Sequence, residues 1–271
     1  MTAHGADTAR RAAAPAQGPR LRTAAVHAAV LTWRNLVQIP RSPHLVVTMT
    51  VQPIMFTLLF AFVFGGAITT PEVDYIDFLV PGIVAQTIAF GTTSTAVGLN
   101  EDLRRGIIDR FRSMPIARGA ILTGRVLADS GRMVLTVVVA VTVGLLLGFD
   151  FRAGAGRALA FVALALLIGI ALSWIAVVVG LSVASSEAAQ SVGFMWLFPL
   201  TFASSAFVPI GTMPDGLRAF AQVNPFTAFV DGLRNLALGG ALDSVWWSVV
   251  WAVAITGVAA PIAIVKYSRM R

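Results

Sequence analysis

The sequence predicts an all-α integral membrane protein with six transmembrane helices and both termini on the cytoplasmic side. Three observations carry that prediction. Charged residues make up 12% and hydrophobic residues 57% of the 271 residues; a soluble domain carries roughly 25% charged residues. Six apolar runs, residues 45–68, 78–99, 133–149, 158–183, 189–210 and 245–265, contain no Asp, Glu, Lys or Arg. Each is close to the roughly 20 residues that cross about 30 Å of hydrocarbon, where an ionised side chain costs roughly 3 kcal/mol or more. The third observation is the placement of the arginines, which follow the inside-positive pattern of membrane proteins. Arg10, Arg11, Arg20, Arg22, Arg34 and Arg41 precede the first run. Arg104, Arg105, Arg110, Arg112, Arg118, Arg125 and Arg132 lie between the second and third, and Lys266, Arg269 and Arg271 follow the sixth. The opposite side holds only Arg152, Arg157, Arg218 and Arg234, with Glu72, Asp74 and Asp77 making its first loop acidic. The net charge of +7 is therefore a topology signal, and no nucleic-acid partner is expected.

The chain divides into a tail over 1–20, an interfacial segment over 21–43 and a membrane domain over 44–271. The tail is rich in Ala, Arg and Pro and reads as disordered and cytoplasmic. In the next segment Val26, Val30, Trp33 and Val37 form one apolar stripe, opposed by Arg22, His27, Arg34 and Gln38. That pattern suits a helix lying on the membrane surface, ended by Pro40 and Pro43.

Within the first span, Gln52-Pro53 frees a backbone carbonyl that neighbours must satisfy. The second span is polar in its inner half, through Gln86, Thr87, Thr92, Thr93, Ser94 and Thr95. Such hydroxyls bond their own helix backbone, or they line a pathway. Gly144 and Gly148 in the third span form a small-xxx-small pair that permits close helix approach. Trp246, Trp247 and Trp251 suit an outer aromatic belt at the start of the sixth span, with Lys266 and Tyr267 marking its inner end. Residues 211–244 are too long and too apolar for an ordinary loop, and two short helices are expected there on the outer surface, dipping inward under the sixth span. Asp231 and Arg234 share one face of the second and can pair.

Residues 100–132 stand out among the charged segments. Leu103, Ile107, Phe111 and Met114 recur at helical spacing and Pro115 breaks the pattern. Glu101, Asp102, Arg104, Arg105, Asp109, Arg110 and Arg112 fill the other faces. A partner groove could bury the edge of Ile107, Phe111, Met114 and Ile116; the alternative is that it rests on the membrane surface, against anionic lipid. Arg118, Arg125 and Arg132 recur every seven residues, with Asp129 in pairing reach of two of them. This stripe reads as a solvated or ion-paired stem entering the third span.

The absences narrow the function. Lys266 is the only lysine and lies outside any glycine-rich loop, so a phosphate-binding loop of the Walker type is missing. His4, His27 and His44 all precede or open the first span, which leaves neither a zinc-protease helix nor a histidine at membrane depth for a serine nucleophile. There is no cysteine. With charge-free spans, uphill movement of a solute would take its energy from another polypeptide, and residues 100–132 are where that polypeptide could push. An autonomous secondary transporter or channel, and a membrane scaffold without transport, are the competing readings.

The run from Asn100 to Arg118, NEDLRRGIIDRFRSMPIAR, resembles the cytoplasmic loop after the second span in type-2 ATP-binding-cassette (ABC) export permeases, closest to the daunorubicin-resistance (DrrB-like) branch. Pro209, Met213-Pro214, Leu217, Phe220, Asn224-Pro225, Asp231, Leu233-Arg234 and Gly239 match that family's pattern between its fifth and sixth spans, and Gln52-Pro53 is usual in it. The resemblance covers nearly all of the chain from Arg34 to its end. It implies an ABC type-2 transmembrane domain over 44–271 in a bacterial plasma membrane. That domain would be paired with a second permease half, commonly another copy, and with two ATPase subunits that bind ATP and Mg in its stead. It also implies export of a hydrophobic drug, antibiotic or lipid-like molecule. Leu103, Ile107, Phe111, Met114, Pro115, Ile116 and Arg118 would then couple to the ATPase. A path lined mainly by the second and fifth spans would expose Gln86, Thr93, Phe194, Met195, Phe198, Thr201 and Ser205, an aromatic and weakly polar surface suited to a greasy ligand.

Overall fold

The computed structural model describes residues 43–65, 68, 70, 73–105 and 118–270. The tail over 1–20 and nearly all of the interfacial segment lie outside them. The described residues are helical, with no strand among them: α1 (Pro43–Leu59), continued by a π turn over Phe60–Phe64, α2 (Tyr75–Gly91), α3 (Thr93–Arg104), α4 (Arg118–Leu146), α5 (Gly154–Gly180), α6 (Ser186–Phe202), a 3-10 turn over Ile210–Thr212, α7 (Asp215–Val223), α8 (Pro225–Leu238) and α9 (Asp243–Arg269).

Four stretches are long and apolar enough to cross a membrane: Tyr75–Arg104, Leu122–Leu146, Gly154–Gly180 and Asp243–Arg269. The fifth apolar run does not continue as one helix to residue 210. α6 stops at Phe202 after 17 residues, about 26 Å, and the Thr201 and Ser204 hydroxyls turn back onto the carbonyls of Leu197 and Thr201.

The α2–α3 stretch is the axis of the protein. Leu79, Val80, Ile83, Val84, Ala85, Ile88 and Ala89 are all buried, joined by Phe161, Ile168 and Leu172 of α5 and by Phe226, Phe229, Val230 and Leu233 of α8. Helices approach closely where glycine removes the side chain. A Cβ on Gly144 of α4 would lie 2.8 Å from Val80, and one on Gly180 of α5 would lie 2.7 Å from the Ala96 carbonyl oxygen. Gly148 has a different role from Gly144: its φ of +102° ends α4, with Phe149 N–H donating to Gly144 O (2.9 Å) and Gly148 N–H to Leu145 O (3.2 Å). This is a Schellman cap, and nothing packs where its Cβ would be.

Residues 203–238 fold inward more deeply than the sequence pattern implied. After Pro209 the chain forms α7, amphipathic and half exposed, and turns at Asn224-Pro225. Asn224 fixes that turn. Its side-chain amide donates to the carbonyls of Leu200 and Ala203 at the end of α6, both at 2.8 Å, and its oxygen caps α8 by accepting from Phe226 N–H at 2.9 Å. Pro225 opens the helix, where its missing N–H has no cost, and Gly239 closes it at φ 91°. α8 is a core helix rather than a surface one, wedged among α2, α5 and α9. Its Asp231–Arg234 pair forms as expected, at 2.7 Å.

Two further expectations are corrected. Asp77 belongs to α2, 2% exposed, rather than to an acidic loop; it pairs with Arg152 and accepts from Asp150 N–H at 3.2 Å. Tyr267 is fully buried among Leu99, Leu122, Val126 and Trp174, where it joins the ends of four helices; it does not mark a membrane surface. Trp246, Trp247 and Trp251 at the other end of α9 are exposed, as an aromatic belt requires.

Candidate functional site: the seam between the second and fifth apolar segments and the stem beneath it

One stripe of α2 and α3 faces α6. A Cβ on Gly82 would collide with the Ala206 backbone. One turn on is Gln86, 2% exposed, whose side-chain nitrogen has no hydrogen-bond partner among the described residues. One turn further Phe90 meets Phe194 and Phe198, with ring centroids 5.6 and 5.2 Å apart. Thr93 then packs on Gly193, where a Cβ would come within 2.9 Å of its methyl. From Phe198 the rings continue to Phe202 (5.4 Å), Phe207 (5.2 Å) and Phe60 (4.2 Å), which stacks in turn on Phe56 and Phe64. The outcome is a band of phenylalanines across α1, α2 and α6, with Phe64, Phe198 and Phe202 partly exposed and Met195 74% exposed beside it. Offset ring pairs at these spacings contribute about 0.5–1.5 kcal/mol each beyond their area.

The candidate path residues thus divide. Gln86, Thr93, Phe194 and Phe198 share the seam, and Met195 lies on the outward face of the same helix. Thr201 is fully buried, its hydroxyl donating to Leu197 O at 2.8 Å. Ser205 donates to Asp231 at 2.7 Å, in a network completed by Arg234, which donates to Ser205 O (2.8 Å) and Phe78 O (3.1 Å) and lies 3.7 Å from the Phe78 ring centroid. Phe60, Phe90 and Phe202 were absent from the sequence-derived set. The spacing of Phe56, Phe60 and Phe64, and of Phe194, Phe198 and Phe202, four residues apart each time, is the signal that could have found the band.

At the Lys266 end, α3 and α4 flank residues 106–117. Ile107, Phe111, Met114, Pro115 and Ile116 lie outside the described residues, and Arg118 is the first residue of α4. Leu103 is half-buried and packs against the cluster of Leu99, Leu122 and Tyr267. Asn100 donates to the carbonyls of Gly180 (3.2 Å) and Val183 (2.8 Å), tying α3 to the end of α5. Lys266 of α9 donates to the Ser182 hydroxyl at 2.7 Å. Ser185 caps α6 by accepting from Ala188 N–H at 3.1 Å. Hydrogen bonds from its own backbone N–H and from the Ser185 hydroxyl, with a smaller pull from Arg104, hold the exposed Glu187 carboxyl below its ordinary value. One ion pair, Asp102–Arg125, joins α3 to α4, and a second, Asp129–Arg132, lies within α4. The described residues hold no group of His, Cys, Asp and Glu able to bind a metal ion.

Comparison with known proteins decides what a stem of paired charges beneath an aromatic seam serves. Residues 27–238 match the model of the ABC-2 type transporter family. The chain belongs to that family. It is 31% identical over 226 residues, 83% of this chain and 80% of the relative, to the daunorubicin resistance ABC transporter permease protein DrrB1 of Streptomyces coeruleorubidus. A probable doxorubicin resistance ABC transporter permease protein, DrrC of Mycobacterium tuberculosis, is 28% identical over 236 residues, 86% of this chain and 85% of its own. The putative transport permease ycf38 of Cyanophora paradoxa is 27% identical over 211 residues, 76% of this chain and 72% of its own. The chain is therefore the permease subunit of an ABC exporter, a multi-pass membrane protein that works with an ABC ATPase subunit. Membership selects this reading over an autonomous transporter or a scaffold.

Proposed function

We propose that this permease moves a hydrophobic drug, antibiotic or lipid-like molecule out of a bacterium across its plasma membrane, along the seam between the second and fifth apolar segments. The observation that carries the proposal is that seam, where Gln86, Phe90, Thr93, Phe194 and Phe198 meet beside the exposed Met195. An unpartnered buried amide among rings suits a greasy ligand with a few polar groups. The names of the relatives, resistance permeases for daunorubicin and doxorubicin, support the same class.

In this reading the chain crosses the membrane six times, α1 and α6 supplying the first and fifth spans, with both termini cytoplasmic. The arginine asymmetry and the Trp246 belt support that orientation. Residues 1–20 form a tail, 21–43 an interfacial helix and 44–271 the ABC type-2 transmembrane domain. Two copies of the chain assemble with two ATPase subunits, which hold the ATP and Mg. Leu103, Ile107, Phe111, Met114, Pro115, Ile116 and Arg118 form the coupling element, the apolar edge of 107–116 seated in a groove of the ATPase and Leu103 anchoring it to the permease.

Phe111→Arg and Met114→Arg test the coupling role. Each is expected to leave membrane insertion intact and to abolish ATP-driven uptake of daunorubicin into inverted vesicles. Normal uptake by correctly inserted variants would remove residues 107–116 from the coupling role. Gln86→Leu and Phe198→Ala test the path, with a loss of transport at unchanged ATPase binding as the expected result.

A further inference from the structure

The network around Asp129 has no part in the seam, and the coupling role of residues 106–117 does not require it. The α2–α3 axis is interrupted at one point. Thr92 N–H is shared between the carbonyls of Ile88 and Ala89, both at 3.2 Å, and Thr95 N–H reaches back only three residues, to Thr92 O at 2.9 Å. The hydrogen-bond ladder thus slackens over one residue, and Gly91 beside it faces open space, with no atom within 4 Å of where a Cβ would be. Glycine leaves the backbone freer than any other residue, so Gly91-Thr92 is the soft point of an otherwise buried rod.

Directly past that soft point, α3 is fastened sideways. The Thr95 hydroxyl donates to Asp129 at 2.6 Å; Asp129 is 8% exposed and also pairs with Arg132. Arg132 donates to the Ser94 hydroxyl at 3.2 Å. Two turns along, Asp102 pairs with Arg125, and a Cβ on Gly98 would collide with the Arg125 guanidinium. Every one of these bonds joins α3 to α4 or braces the side chain that does. α2 meets α4 through apolar packing alone, as at Val80 on Gly144, with no polar bond between them among the described residues.

We propose that Asp129 is a positioning residue for ATP-driven transport. It locks α3 to α4 as one lever, so that a push on the loop between them is delivered to the axis at Gly91-Thr92 rather than lost between two helices. The inference rests on the reading of residues 106–117 as the coupling element. A buried carboxylate that accepts from a neutral hydroxyl and a guanidinium holds both in a fixed direction, because leaving either side unsatisfied at such a site is costly. Two helices so joined move as a unit, and displacement concentrates where the ladder is weakest.

The absence of cysteine allows the lever to be measured directly by paired spin labels. The complete permease–ATPase complex in lipid nanodiscs, with labelled copies diluted among unlabelled ones, is compared nucleotide-free and trapped with ATP and vanadate. Labels at Arg104 and Val134, both exposed, report α3 against α4; labels at Arg104 and Trp246 report the lever against the far end of the protein. The expected result is a shift of roughly 2–5 Å in the second pair and none in the first. Thr95→Val, which keeps the volume and loses the hydroxyl, is expected to make the first pair shift or broaden on trapping. Thr95→Ser, which loses volume and keeps the hydroxyl, is expected to behave as the native chain. The same order is expected in transport of daunorubicin per ATP hydrolysed. A native first pair that shifts on trapping, a Thr95→Val chain that behaves as native, or a Thr95→Ser chain as disturbed as Thr95→Val would overturn the proposal. If neither pair moves in a complex that hydrolyses ATP, the coupling reading itself is wrong and the lever falls with it.

Discussion

Replacing Arg234 by Met should destabilise the permease more than removing both members of the pair to which it belongs. The Arg234 side chain is 12% exposed; its guanidinium pairs with Asp231 at 2.7 Å and donates to Ser205 O at 2.8 Å and to Phe78 O at 3.1 and 3.2 Å. Those bonds fasten the buried α8 to the first turn of α2 and to the turn after α6, three segments far apart in sequence. Met fills the space of the aliphatic stem and supplies no donor. Asp231 keeps only the Ser205 hydroxyl, and the two carbonyls lose a charged donor. Breaking a buried pair from one side costs about 3–5 kcal/mol. Replacing both members by apolar residues removes the stranded carboxylate, leaving a cost of about 1–2 kcal/mol for the unpartnered carbonyls. Thermal unfolding in mild detergent, followed by tryptophan fluorescence, should show Arg234→Met lowered on the order of 10 °C and Arg234→Met/Asp231→Leu lowered by less than half of that. A double variant at least as destabilised as the single one would show that Asp231 and Arg234 are not energetically coupled, and would refute the description of α8 as pinned by this pair.

Gly180→Leu should overpack the contact with the Ala96 carbonyl, cost about 1–3 kcal/mol and lower the yield of folded protein in fluorescence-detected gel filtration. Asn224→Ala leaves Leu200 and Ala203 without their side-chain donor and uncaps α8; a cost of about 1–2 kcal/mol should appear in the same unfolding assay. Gly91→Ala has room for its methyl and should raise stability by about 0.5–1 kcal/mol, while slowing ATP-driven efflux if the soft point must bend. Phe198→Ala opens the aromatic band between Phe90 and Phe202, and daunorubicin efflux should fall at least several-fold with complex assembly unchanged.

Charge-free runs and proline punctuation made the long helices legible, because a bilayer imposes composition and length on any segment that crosses it. The same signal misled where burial inside protein rests on distant contacts. α8 reads as a short surface helix because it carries Asp231 and Arg234, and its burial among α2, α5 and α9 depends on contacts that local pattern does not show. Asp77 was assigned to a loop because a carboxylate near an apolar run looks like a boundary; the distant Arg152 that makes its burial tolerable is invisible to local pattern. Tyr267 failed for the same reason, its belt-like position hiding a full set of tertiary neighbours. In the candidate site, Phe194 and Phe198 were legible by type and spacing, whereas Phe90 and Phe60 enter through contacts across helices. The pairing of Asp129 within α4 was legible from its spacing to Arg132, but its bond to Thr95, 34 residues earlier, was not.

The most direct test of the account is to isolate the protein from its native membranes in mild detergent, after crosslinking, and to identify every stoichiometric companion by mass spectrometry. The account predicts a soluble ATPase with a glycine-rich phosphate loop in equal amount to the permease, released by Phe111→Arg or Met114→Arg. A permease recovered without any ATPase would contradict it, and residues 100–118 would then have to be read as an element of the lipid surface.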